Sequence, residues 1–255
     1  MTSSRFTWQR VLFVAFAVAA IFFVAWNRKV LAASGNVTIS SATTFASLDG
    51  SADDADGSED GTFTVNGSLV VAPGGSISCN DDAPLADDDG ACALHFDVLG
   101  NFAVQSGGAL SAENRRGGGN GGDIVADVGG DFSIESGAVL SARNTSGAGD
   151  TRMGGVVAIH VAGNVSVEPG SQVLADSPAE AGVIAITGTN IDINGVVSSV
   201  GRPTTGRGGA ISIVAARSLT IPEAEAVRSR GSRTLIPLPA TRDEAGFLTL
   251  AKAGK

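Results

Sequence analysis

Apolar residues in this chain recur at every second position in short runs, and the runs return in the same order. Leu94, Phe96 and Val98 are followed by Phe102 and Val104, then by Leu110 and Ala112; Ile124, Ala126 and Val128, then Phe132 and Ile134, then Leu140 and Ala142 repeat the series. A period of two buries one face of a strand, so each copy predicts three short strands joined by turns. A third copy runs through Val157, Ile159 and Val161 to Val165, Val167 and Val173, and a late one places Ile211, Ile213 and Ala215 inward. The stretch Ile184–Ser199 departs from the pattern. Its first strand reads in either parity, Val183 and Ala185 or Ile184 and Ile186, and its second corner is shortened at Asn194-Gly195, where a bulge is expected.

A turn residue opens the middle run of each copy: Asn36, Ser68, Asn101, Asp131, Asn164, Asn190 and Ser218, at spacings of 32, 33, 30, 33, 26 and 28 residues. Seven copies at nearly constant spacing predict a stack of coils. The expected fold is all-β, a right-handed parallel β-helix of about six to seven coils over residues 35–233. Third strands are expected to begin inward at Phe45, Ile77, Leu110, Leu140, Val173 and Val227. Stacking aligns the seven turn residues into a ladder whose side-chain amides satisfy one another, as in cross-β assemblies. Gly35, Gly67, Gly100, Gly130 and Gly163 precede the ladder, where positive φ or close backbone approach demands glycine.

Composition agrees with thin, repetitive β-structure. Of the 255 residues, 35 are Gly, none is Tyr, and both Trp residues, Trp8 and Trp26, fall near the N-terminus. Residues 1–34 read as an export signal or an N-terminal anchor: Arg5 and Arg10 precede the apolar run Val11–Trp26, and Val30-Leu31-Ala32 offers small residues for cleavage. That segment carries four bases and no acid, so without it the net charge moves from −9 to about −13. Nucleic acid is thereby excluded as a partner, and a membrane is expected only through the N-terminal segment, if uncleaved. Residues 234–255 are expected to cap the last coil, with a short helix starting at Thr241.

The strings GGDFSIESGAVLSARN and GNVSVEPGSQVLAD, each followed by a loop and a new strand, resemble the β-helical repeats of bacterial secreted and surface proteins of the filamentous-haemagglutinin and autotransporter-passenger kind. The resemblance covers Gly35–Arg233 and implies an elongated, exposed scaffold with an adhesive or matrix role. The expected protein is thus exported to the cell surface or matrix and is not an enzyme. Its expected partners are itself, end to end or laterally, or components of the surface and matrix.

Five groups of residues carry candidate chemistry. Cys79 sits two after inward Ile77 and Cys92 two before inward Leu94, so both thiols face the core at the ends of one loop; in an exported chain they form a disulfide or stay as two buried thiols. Asp81, Asp82, Asp87, Asp88 and Asp89 supply oxygen ligands for Ca2+, the one cofactor considered, although DDDG lacks the alternating spacing of a dedicated calcium loop. Asp97, Asp127 and His160 occupy equivalent outward positions on successive first strands, the arrangement a carbohydrate-active β-helical enzyme would use as an acid–base pair; as a bland alternative they are a solvated face. Loops between coils are acidic early, with six acids in 46–61, and basic late, with Arg228, Arg230 and Arg233. Sequons occur at Asn36, Asn66, Asn144 and Asn164, two of them ladder positions that the repeat already explains.

Overall fold

The structure is a computed structural model that describes residues 30–45, 62–80, 93–115, 119–145, 152–201, 208–222, 227–230 and 247–250. Every described element is a strand. The first turn holds β1 (Val30–Ala33), β2 (Val37–Ile39) and β3 (Ala42–Thr44); the second β4 (Thr62–Val65), β5 (Leu69–Val71) and β6 (Ser76–Ser78). The third holds β7 (Leu94–Val98), β8 (Phe102–Val104) and β9 (Ala109–Ser111), and the fourth β10 (Ile124–Val128), β11 (Phe132–Ile134) and β12 (Val139–Ser141). The fifth holds β13 (Val156–Val161), β14 (Val165–Val167) and β15 (Gln172–Leu174). Beyond it come β16 (Val183–Ile193), β17 (Val196–Val200), β18 (Ala210–Thr220), β19 (Val227–Arg230) and β20 (Phe247–Leu250).

Each of β1–β19 pairs in parallel with its counterpart one turn away, and so the chain is a parallel β-solenoid. About five turns have three separate strands, fewer than the six to seven equivalent coils expected. The reason lies at the first corner, where β16 and β18 run unbroken across two faces for 11 residues each. Their pairing slips between Gly188 and Asn190. The irregularity thus falls at the first corner, and Asn194-Gly195 is simply a short second corner whose two N–H groups both reach the Val167 carbonyl. Parity is resolved as well: Ile184 and Ile186 are fully buried while Val183 is exposed.

The interior is a column of alternating inward residues. Leu94, Phe96 and Val98, Ile124, Ala126 and Val128, and Val157, Ile159 and Val161 are all buried. Phe45, Phe96, Phe102 and Phe132 form an edge-to-face chain with successive centroids 5.5, 5.3 and 5.2 Å apart. Aliphatic residues fill the later turns. One expected register is corrected: Thr43, not Phe45, pairs with Ile77. Between β2 and β3 only Ser40 and Ser41 make the corner, whereas four residues, Ala72–Gly75, do so one turn later; Phe45 therefore fills the next inward level and is still fully buried.

Two kinds of glycine hold the corners. Before the ladder Gly67, Gly100, Gly130 and Gly163 are held to glycine by close approach, a Cβ on Gly130 lying 2.2 Å from Asn101 Oδ1 and 2.9 Å from the Gly100 carbonyl, whereas Gly35 sits in open space at φ +88°. At the second corner the requirement is conformation, with Gly137 at φ +79°.

Both ends differ from expectation. Among the described residues the first strand is β1 at Val30–Ala33, inside the segment 1–34 that the pattern assigns to a signal or anchor; β1 pairs with β4, and residues 1–29 lie outside the described part. Of the C-terminal segment, Phe247–Leu250 is described, and it is a strand antiparallel to β18 instead of part of a helix. Four residues that pair with an open sheet edge gain hydrogen bonds that a helix laid across the end could not supply.

Candidate functional site

The first feature built by the repeat is the turn ladder. The N–H of Ser68 donates to Asn36 Oδ1 at 2.9 Å, that of Asn101 to Ser68 Oγ at 3.1 Å, that of Asp131 to Asn101 Oδ1 at 2.9 Å, and that of Asn164 to Asp131 Oδ1 at 2.7 Å. Side chains take over in the later rungs, where Asn190 Nδ2 donates to Asn164 Oδ1 at 2.7 Å and Ser218 Oγ to Asn190 Oδ1 at 2.8 Å. The expected amide-to-amide contact is therefore the minority case. What each early rung needs is an oxygen acceptor for the next main-chain N–H, which is why Ser and Asp substitute for Asn.

Two further ladders escaped the sequence reading. Asn80 Oδ1 accepts from Ser111 Oγ at 2.6 Å and from Glu113 N–H at 2.8 Å; Asp176 Oδ1 accepts from Ser198 Oγ and Val200 N–H, both at 2.7 Å. Between them Glu113 accepts from the Ser141 hydroxyl, from Arg143 Nη2 at 2.9 Å and from Arg115 Nε at 3.1 Å. At the second corner Glu135 and Glu168 accept from the N–H groups of Ser106 and Ser136. The signal was present as LSAEN and LSARN, with a polar residue two places after each Ser.

Glu113 and Asn114 directly follow the third strand β9, where the chain turns toward the next coil. Both are buried, as is Asn144, and the amides of Asn114 and Asn144 share the Gly119 carbonyl at 2.7 and 3.0 Å. Burial also removes the Asn144 sequon from reach in the folded chain. Desolvation alone would raise the Glu113 pKa, but hydrogen bonds from Ser141 and Arg143, the Arg143 charge and the Arg115 hydrogen bond together hold it below its ordinary value.

Asp97, Asp127 and His160 do stand in one outward column, paired in register across β7, β10 and β13, about 4.8 Å apart along the stack. Thr64 and Thr187 continue the column, and His160 Nδ1 lies 3.2 Å from Thr187 Oγ1. The pKa of Asp127 is raised, first by loss of water between its neighbours, with His160 acting against that and Asp97 adding to it. The adjacent outward column is His95, Val125, Ala158, Ala185 and Ser212, small and neutral after its first member.

Cys79 packs, half-buried, against the core and is not a free thiol; Cys92 lies outside the described residues. So do all five aspartates of the calcium candidate, Asp81, Asp82, Asp87, Asp88 and Asp89. Among the described residues no group of three or more His, Cys, Asp or Glu is placed to hold a metal ion, and no helix is long and apolar enough to cross a membrane. No protein-family model matches the chain, and neither a curated protein nor a solved structure matches it.

Proposed function

We propose that the protein is an exported, non-enzymatic solenoid with a structural or adhesive role at the bacterial surface or matrix, wound right-handed and able to stack end to end. One observation carries this reading: the polar residues that recur in register are engaged in hydrogen bonds from turn to turn. A repeat conserved within one chain for stacking serves length and rigidity. Recognition then falls to the loops, where the copies differ. Pairing of β1 with β4 supports a mature protein that keeps Val30–Ala33, which N-terminal sequencing would read directly. The bonded state of Cys79 supports a disulfide to Cys92, the only other cysteine in the sequence. Protease treatment of intact cells is expected to degrade the protein; full protection, with recovery in the cytosol, overturns the reading.

A second reading rests on the raised Asp127 beside Asp97 and His160, the acid–base chemistry of a polysaccharide-cleaving enzyme. It predicts that the double variant Asp97→Ala, Asp127→Ala loses a cleavage activity toward acidic polysaccharide that the parent shows. Calcium binding by residues 81–89 predicts a melting temperature that rises with calcium and falls with chelator.

A further inference from the structure

Both ends of the stack leave apolar residues only partly covered, Ala33 and Val37 in the first turn and Leu219, Ile221 and Val227 in the last. Their backbone edges differ. Among the described residues β1, β2 and β3 have a strand partner on one side only. At the opposite end β20 lies along Ile211–Val214 of β18 and runs antiparallel in an otherwise parallel sheet. Asn190–Asp192 pair with Ser218–Thr220 of β18, but that half of β18, like β19, has no further strand beyond it among the described residues.

The ladder also has a direction. It starts at Asn36, whose side chain accepts from Ser68, and stops at Ser218, whose hydroxyl donates back to Asn190. A second copy stacked in register on the last turn would bring its Asn36 N–H to Ser218 Oγ, repeating the bond between Asn101 N–H and Ser68 Oγ. In that register Thr43 falls on Val227, since each pairs within the column of Ile77 and Val197. By sequence, the segment 46–61 that follows β3 carries six acids and no base while β19 carries Arg228 and Arg230, so the net charges of the two ends are of opposite sign.

We propose that copies of the protein add head to tail through this junction, and that β20 controls the addition by occupying the edge that β1 of an incoming copy needs. The proposal rests on the structural reading above and names its partner as a second copy of the chain. Such a contact is heterologous and does not close on itself, so it yields filaments. An incoming turn pairs on three faces at once, whereas β20 covers four residues of one; displacement therefore favours the parallel stack.

The test uses the exported protein, whole, and variants of it. Leu248→Pro removes a backbone N–H from β20. Ser212→Cys with Thr249→Cys, opposite one another across the β18–β20 pair, locks the strand when oxidised. Leu248→Pro is expected to give filaments in electron micrographs at concentrations where the parent is mostly single, and the locked protein to lose filaments at concentrations where the parent and Ser212→Cys alone form them. Thr249→Pro takes the place of Leu248→Pro should that variant misfold. Filaments from the locked protein as readily as from the parent, or none from the proline variant with an unchanged circular dichroism spectrum, overturn the proposal. Neither result bears on export, which the protease experiment judges separately.

Discussion

At the scale of single residues, the chain spends its polar side chains on main-chain N–H groups one turn away. Asn101→Ala leaves the Asp131 N–H without that acceptor and is expected to cost about 1 kcal/mol in urea unfolding, a typical net hydrogen bond. Asn101→Ser, which copies the natural Ser68 rung, is expected to recover most of it. Gly130→Ala is expected to cost more, about 1–3 kcal/mol, because the clash is partly with the Gly100 backbone, which cannot turn aside. Two carboxylates give opposite pH signatures. The depressed pKa of Glu113 means that its stabilisation is present above the unfolded pKa and is lost as pH falls through the folded one. Glu113→Gln is therefore expected to lower the urea midpoint at pH 7 and to make little difference in acid. Asp127, raised, binds its proton more tightly when folded, so its contribution is full below the unfolded pKa and is lost as pH rises through the folded one. Asp127→Asn is expected to raise the midpoint at pH 7, by a small amount because the side chain is exposed to screening water. The rungs were legible from spacing alone, but their donors were not, because main-chain N–H groups leave no mark in a sequence.

At the scale of elements, strand existence and facing follow from the period of two, and β4–β11 keep it, whereas Ser141, Ala158 and Leu174 are buried on the opposite face as well. The pattern could not say that a corner would straighten. In β16 the residues Thr187–Asn190 continue the strand because hydrogen bonding to β13, β14 and β18 spans the corner, a decision made by neighbours. The register of Phe45 was missed for a related reason: counting from the ladder assumes equal corners, and the second corner of the first turn is two residues shorter than that of the next. Packing inside the strands is expected to be uneven. Phe102 touches both Phe96 and Phe132, so Phe102→Ala is expected to cost about 3–5 kcal/mol, as buried aromatic truncations do. Unfolding is then expected to lose cooperativity around the third turn, seen as non-coincident transitions by two probes, since each turn contacts only its neighbours.

At the scale of the whole molecule, stability accumulates from turn to turn and the ends decide solubility. Reduction of the proposed Cys79–Cys92 bond, which closes a 14-residue loop by the sequence numbering, is expected to lower stability by about 3 kcal/mol, read as a drop in urea midpoint on adding reductant. A four-residue terminal strand such as β20 sets about 1 kcal/mol per hydrogen bond against about 1–2 kcal/mol of ordering per residue, which makes its pairing marginal and suits it to reversible release. The sequence by itself determined the parallel coils, the inward columns and the ladder positions, because stacked identical turns must repeat their chemistry at one interval. Only the tertiary structure decided how many turns stay three-sided, which residues each rung bonds, that Glu113 is buried and paired with the more exposed Arg115 and Arg143, and that the final strand runs backwards. Those features depend on what lies one turn above or below, at a separation of about thirty residues in the chain and about 4.8 Å in space.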